Sequence, residues 1–107
     1  MEFGKFAQVI ENHIRTVVAP QSQSAFVRFA LGAAIGSGAV RDRIRQPMEA
    51  LGVLRRDGGV ETVDTERLGA ALRSGFDATP ELRMDILGIG FTFRKSDAEE
   101  LLRALGV

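Results

Sequence analysis

Five arginines that lie close together are the side chains best suited to chemistry in this sequence: Arg41, Arg43, Arg45, Arg55 and Arg56. A guanidinium group presents a planar set of N–H donors, which can bind phosphate oxygens in pairs. A basic cluster of this kind is therefore a candidate contact for nucleic acid.

The sequence contains few residues that are suited to catalysis. His13 is the only histidine, and no acid stands at a metal-binding spacing from it, so we expect a packed or half-exposed helix residue. Nucleophile elbows, phosphate-binding loops and complete dinucleotide motifs are missing. Asp57, Glu61 and Asp64 do not form a calcium loop, in which Val53 would occupy a ligand position. We expect no catalytic residue, no metal site and no cofactor.

Composition places the chain among globular proteins. Its 107 residues fit a single domain over 1–107, and the 45% hydrophobic and 26% charged fractions are ordinary for a soluble fold. The lack of cysteine suits a reducing compartment. The longest nearly uncharged run, residues 29–40, is too short to cross a bilayer. We expect a cytoplasmic protein without a secretory signal and without a membrane partner.

The zero net charge hides an uneven distribution. Residues 1–56 carry eight basic and four acidic side chains, whereas residues 57–107 carry six basic and ten acidic ones. Either a polyanion binds the basic half, or the two halves attract each other within one chain or between copies. We favour the mutual attraction.

Helical spacing dominates the first half of the sequence. Apolar residues recur at steps of three and four between Phe3 and Val17, which predicts a helix over residues 2–18 that ends before Pro20. Phe3 and Phe6 stand in its first two turns, so they must dock in the core or on a partner.

A second helix is predicted to begin at Ser22 or Ser24, since serine is a favoured N-cap. A glycine-rich turn at residues 36–38 is expected to end it. Its predicted apolar stripe consists of Ala25, Phe26, Phe29, Ala30 and Ala33.

A third helix is predicted over residues 39–51, but it contains Pro47. Either the helix kinks there, or one short helix ends at Arg45 and another begins at Pro47. The spacing of Arg45 and Glu49 predicts an ion pair along the helix.

A β-hairpin follows, and two registers compete for it. A turn centred on residues 58–59 pairs Leu54 with Val63 and Arg56 with Glu61, whereas a turn one residue earlier gives neither pair. The first register provides one apolar pair and one ion pair, so we prefer it.

Two more helices are predicted in the second half. Asp64 is expected to cap a helix that runs through about Gly75. Ser96 is expected to cap the last helix, with Glu99 completing a capping box and Gly106 ending the helix.

A second hairpin is predicted between these helices, because the apolar positions change from even to odd numbers. They are Leu82, Met84 and Ile86, followed by Ile89, Phe91 and Phe93. A turn is therefore expected near residues 87–88. Hairpin tips are normally polar, so Leu87 and Ile89 would be covered by this chain or by another. With Phe3 and Phe6, they are candidate protein-interface residues.

The predicted fold is α+β: an N-terminal three-helix unit followed by two β-hairpins, each leading into a helix, in the order α-α-α-β-β-α-β-β-α.

Residues 36–64 resemble the recognition helix and wing of winged helix-turn-helix DNA-binding domains. In that family a helix leads into a Leu-Gly-hydrophobic-hydrophobic-x-Arg strand and a glycine turn. The resemblance implies that helix arginines enter the major groove and that wing residues contact the DNA backbone. The matching positions are Leu51, Gly52, Val53, Leu54, Arg56, Gly58 and Gly59.

A looser resemblance is to small bacterial proteins of unknown function that share a Pro-x-x-x-x-Gly-hydrophobic pattern, an Asp-Gly turn and an Asp-capped helix. It implies a fold and no activity. The matching positions are Pro47, Gly52, Val53, Asp57, Gly58 and Asp64.

Two functions are therefore compatible with the sequence. The first is a non-catalytic protein-interaction or self-associating module, with a homo-oligomer or another protein as partner. The alternative is a winged-helix-like protein that binds DNA through the five arginines.

Overall fold

The computed structural model describes residues 1–21, 23–86 and 89–107, with the backbone alone for residues 84–86 and 89. Its α-helices are α1 (Phe3–His13), α2 (Ala25–Ser37), α3 (Ala39–Ala50), α4 (Thr65–Ala78) and α5 (Lys95–Ala104). Its strands are β1 (Leu54–Asp57), β2 (Val60–Val63), β3 (Glu81–Ile86) and β4 (Ile89–Arg94). They form two antiparallel sheets of two strands each, β1-β2 and β3-β4. The order of elements confirms the predicted α+β fold.

The first helix changes its winding as it proceeds. A π-helical segment, Ile14–Val18, follows α1 directly, and a 3₁₀ turn at Ala19–Gln21 follows that segment. Because a π turn is wider than an α turn, Val18 lies on the same buried side of the helix as Ile14, whereas Val17 is only half-buried. The predicted helix over residues 2–18 is therefore helical from Phe3 to Val18, and Glu2 lies outside it. The predicted end before Pro20 is wrong, because Pro20 lies within the 3₁₀ turn that follows.

The capping of α2 follows the sequence. The backbone N–H of Val27 donates to Ser24 Oγ at 3.4 Å, which makes Ser24 the N-cap. The alternative cap, Ser22, lies outside the described residues. Gly38 adopts a φ of 82° and ends the helix, as the glycine-rich turn predicted.

Helix α3 is continuous through Pro47, so of the two alternatives the one with two short helices is wrong. The carbonyl of Pro47 accepts a hydrogen bond from the Leu51 N–H at 3.0 Å, and Leu51 is the C-cap of the helix.

The first hairpin has the preferred register, with Leu54 opposite Val63 and Arg56 opposite Glu61. Both turn residues, at 58–59, have positive φ angles of 58° and 85°. A two-residue turn of type I′ requires this conformation.

The chain's first residues line the outer edge of this hairpin. The Val63 N–H donates to the Met1 carbonyl at 2.7 Å, and Glu2 forms a β-bridge with Thr62. The start of α1 is thereby fixed against β2.

The second hairpin pairs from Glu81 with Arg94 to Ile86 with Ile89. Leu82 lies opposite Phe93 in this register, which pairs the even-numbered positions of β3 with the odd-numbered positions of β4. The predicted turn at residues 87–88 lies outside the described residues.

The two C-terminal helices differ in how well their caps were predicted. Asp64 Oδ1 accepts a hydrogen bond from the Arg67 N–H at 3.1 Å, so the cap of α4 is confirmed. Helix α5 begins one residue before Ser96, and Asp97 Oδ2 accepts from the Arg94 N–H at 3.0 Å. The predicted capping box of Ser96 and Glu99 is therefore wrong.

Two clusters of buried side chains form the core. The first contains Phe3, Phe6, Ala7, Val53, Val63, Leu68, Leu101, Leu102 and Leu105. The second contains Ile14, Val18, Ala19, Leu31, Ala34, Ile35, Val40 and Phe91. Ile10 of α1 and Ile44 of α3 pack against both clusters. None of the helices in the described ranges is long and apolar enough to cross a membrane.

Candidate interaction surface

Helix α2 buries one side against the rest of the chain. Leu31, Ala34 and Ile35 lie in the second core cluster, and Val27 is half-buried beside them. These residues recur at the spacing expected for one helix face.

The opposite face of α2 carries the two most exposed phenylalanines. Phe26 is 77% exposed and Phe29 is 74% exposed. The predicted apolar stripe of α2, which includes both, therefore faces mainly solvent and not the core. At 3.6 residues per turn, Phe29 points roughly 160° away from the buried Leu31.

The reason for this error lies in the composition of α2. Arg28 is its only charged residue, and apolar or small residues occupy every side of the helix. Hydrophobic periodicity therefore gives no unique direction toward the core. A helix that is apolar all round is usually covered on all sides, and this was the signal that could have identified the surface. Arg28 and Ser37 are also exposed on α2, at the two edges of this surface. We call the six exposed residues between those edges the α2 outer face: Ala25, Phe26, Phe29, Gly32, Ala33 and Gly36.

An open cleft of about 340 Å³ borders this face at Gly32. The buried side chains of Leu31 and Ile35 line its interior, and the exposed Arg15 and Arg28 line it from two elements. Neither arginine has an ion-pair partner among the described residues. The cleft thus combines an apolar interior with two basic side chains.

The predicted interface residues lie elsewhere. Phe3 and Phe6 are buried in the first core cluster, because the N-terminal half of α1 packs against the hairpin and α5. They are not available to a partner, and this prediction is corrected. Leu87 lies outside the described residues, and so does the side chain of Ile89.

Four of the five candidate nucleic-acid arginines have carboxylate partners. Arg41 Nε donates to Glu11 Oε1 at 2.7 Å, and the Glu11 side chain is only 8% exposed. Arg45 donates to both oxygens of Glu61, so the predicted ion pair of Arg45 with Glu49 is wrong. Among the described residues, Arg43 alone of the five is exposed without a carboxylate partner.

The remaining two arginines belong to β1. Arg55 pairs with Asp64 at 3.5 Å, and Arg56 pairs with Glu61 at 3.4 Å, as the hairpin register predicted. The pairs of Arg45, Arg55 and Arg56 join the basic half of the sequence to the acidic half. The uneven charge is thus partly balanced within one chain.

His13 is buried at the end of α1, where its ring packs edge-on against Phe93 at 5.9 Å between centroids. This confirms the packed alternative for this residue. Its Nε2 atom has no hydrogen-bond partner among the described residues. Burial lowers the pKa of His13 below its ordinary value, whereas the charges of Glu100 and Asp97 act to raise the pKa.

A second cleft of about 330 Å³ lies beside His13, between α1 and α5, with Asn12, Thr16 and Glu100 in its wall. Within the described ranges, no three His, Cys, Asp or Glu side chains gather into a group that could hold a metal ion. Comparison with protein-family models, with curated proteins and with solved structures found no match to this chain.

Proposed function

We propose that this protein is a non-catalytic protein-interaction module of the cytoplasm, and that the α2 outer face is its contact surface. The observation that carries the proposal is the exposure of Phe26 and Phe29 on a helix whose one charged residue is Arg28. The cytoplasmic location is supported by the lack of cysteine.

The size of the exposed apolar surface supports this proposal. Three-quarters of two phenylalanine side chains amounts to roughly 300 Å², which at ~25 cal/mol per Å² corresponds to about 7 kcal/mol of unused burial. The largest contiguous apolar patch on a monomer typically measures about 300–600 Å², and such a patch often marks a binding site.

The test compares surface substitution with core substitution in dilute solution. Because the two phenylalanines contact solvent, Phe26→Ser combined with Phe29→Ser should change the free energy of unfolding by less than about 1 kcal/mol. Retention of the native protein on a hydrophobic column should fall. As a core control, Phe6→Ser should cost about 3–5 kcal/mol.

Leu82→Ser and Val60→Ser are matched controls, since both residues are exposed apolar residues outside α2. They should reduce column retention less than the double α2 variant does. Should the double variant lose as much stability as Phe6→Ser, the chain itself covers the face and the proposal fails.

The alternative function, DNA binding by α3 and the first hairpin, is supported by their order in the chain. The pairing of Arg41, Arg45, Arg55 and Arg56 with carboxylates weakens it. Arg43 is the informative residue, because its removal breaks no described ion pair. The alternative predicts salt-sensitive binding to duplex DNA that Arg43→Ala weakens, and the interaction-module proposal predicts no retention on a DNA column at low salt.

A further inference from the structure

We propose that the α2 outer face binds a second copy of this chain, with the two α2 helices antiparallel across a two-fold axis near residue 31. The inference rests on the proposed function, and it names the partner of that same surface.

The positions of large and small residues carry the inference. Four exposed positions of α2 are arranged symmetrically about residue 31, with Phe26 and Phe29 on one side and Ala33 and Gly36 on the other. An antiparallel pair therefore places Phe26 opposite the partner's Gly36, and Phe29 opposite the partner's Ala33. Each large side chain meets a small one, as a self-complementary two-fold interface requires.

The space needed for this contact exists. A Cβ added at Gly32 or at Gly36 would meet no other heavy atom within 4 Å, so both glycines border open solvent. A parallel pair would instead stack the phenylalanines on their own copies and hold the small-residue ends apart. The size pattern thus favours the antiparallel arrangement.

The electrostatics and the area also suit a second copy. The six residues of the α2 outer face are uncharged, and Arg28, the one charged residue of α2, is exposed at its edge. Pairing two copies therefore sets no like charges against each other among the six residues. Two phenylalanines from each protomer provide about 600 Å² of apolar surface, about half of the ~1,200 Å² buried by a small specific interface. The backbone and small side chains between them supply further area. We expect a dimer that forms in the micromolar range.

The first experiment measures molar mass by light scattering from low to high micromolar concentration. The wild-type chain should move from 11.6 kDa toward twice that mass. Phe26→Ser combined with Phe29→Ser should remain monomeric. Gly36→Leu should weaken association at least about tenfold, because leucine fills the position that the partner's Phe26 occupies.

Gly4→Leu is the matched control, since a Cβ at Gly4 also meets no atom within 4 Å and Gly4 lies on α1. It should leave association unchanged. The size exchange Phe26→Ala with Gly36→Leu should recover association relative to Gly36→Leu alone.

The second experiment determines the orientation with a short bis-maleimide linker, because the chain has no cysteine of its own. Ala25→Cys and Ser37→Cys place thiols at opposite exposed ends of α2. In an antiparallel pair, position 25 lies roughly 8–10 Å from the partner's position 37. Position 25 lies about 18 Å from position 25 of the second copy, measured along the helix axis. A mixture of the two variants should therefore cross-link, and either variant alone should not.

The outcomes separate this inference from the function on which it rests. Cross-linking of each variant with itself would show a parallel pair and overturn the proposed orientation. A wild-type chain that stays monomeric throughout would overturn the second copy as partner. In both cases the outer face could still pass the dilute-solution stability test of the interaction module.

Discussion

Arg45 donates two hydrogen bonds to the Glu61 carboxylate, from Nε at 3.2 Å and from Nη2 at 2.9 Å. The same guanidinium lies 4.7 Å from the centroid of the Phe3 ring. One side chain of α3 thus joins the start of α1 to β2. The side chain of Arg45 is 37% exposed, so solvent screens part of this attraction.

We predict that Arg45→Lys lowers the free energy of unfolding by about 1 kcal/mol, measured by urea denaturation. Lysine keeps the charge but loses the two-bond geometry and the flat contact with the ring. Arg43→Lys is the matched control on the same helix and should change stability by less than about 0.5 kcal/mol. Equal effects at the two positions would show that the Arg45 geometry contributes nothing.

We predict that substituting Arg41 lowers stability more than substituting its partner Glu11, because the carboxylate is buried and the guanidinium is 44% exposed. Arg41→Ala leaves a buried carboxylate without its partner and should cost about 2–3 kcal/mol. Glu11→Gln leaves an arginine that water can solvate, so it should cost about 1 kcal/mol. Denaturation of both variants at pH 7 establishes the order, and the reverse order would show that burial of the carboxylate does not control the response.

The register of the first hairpin was predicted correctly, whereas the buried side of α2 was not. The difference shows where sequence patterns carry information. In the hairpin, a shift of one residue would break both the pair of Leu54 with Val63 and the pair of Arg56 with Glu61, so the register was predictable. In α2, no residue type distinguishes the inner side from the outer side. The buried side is determined by packing against α3 and the 3₁₀ turn at Ala19–Gln21, which the local pattern does not contain.

The turn of the first hairpin predicts a clear difference between two substitutions. Gly58→Asn should be nearly neutral, because asparagine tolerates positive φ and suits the first position of this turn. Gly59→Ala should lower the free energy of unfolding by about 1–2 kcal/mol, because its φ of 85° brings a Cβ too close to the following carbonyl oxygen. Thermal unfolding of the two variants tests the contrast, which a loss at both positions or at neither would contradict.

Two glycines of α4 predict opposite responses to alanine. A Cβ at Gly69 would lie 3.1 Å from Val107 Cγ1 and 3.5 Å from Leu102 Cδ2, whereas a Cβ at Gly75 would meet nothing within 4 Å. Gly75→Ala should stabilise the protein by up to about 1 kcal/mol through helix propensity. Gly69→Ala should lose that gain and destabilise the protein by about 1 kcal/mol, because α5 and its C-terminal residues must shift. If both variants are stabilised to the same extent in urea, the close packing of α4 on α5 is not present in solution.

We predict that the stability of the protein depends on pH because of His13. Its pKa in the folded protein lies below the ordinary value of 6.5, chiefly because of burial, although Glu100 and Asp97 oppose the shift. Between the two pKa values the unfolded chain binds more protons than the folded chain, so the free energy of unfolding rises with pH and falls as the pH drops below about 6.5. We expect wild type to lose stability between about pH 7.5 and pH 5.5, a range in which ordinary carboxylates remain ionised.

The matched variant for this experiment is His13→Gln, which does not titrate. Its urea midpoint should be nearly constant over the same pH range. A wild-type midpoint that rises as the pH falls would mean that the acidic neighbours outweigh burial and that the pKa of His13 is raised on folding.

The position of Ile10 and Ile44 against both core clusters has a consequence for degradation. Neither cluster can open without removing a wall of the other, so partial opening should be rare compared with complete unfolding. Proteases would then cut chiefly the small population of completely unfolded molecules. Its lifetime among proteases should follow its global stability more closely than the exposure of any single loop.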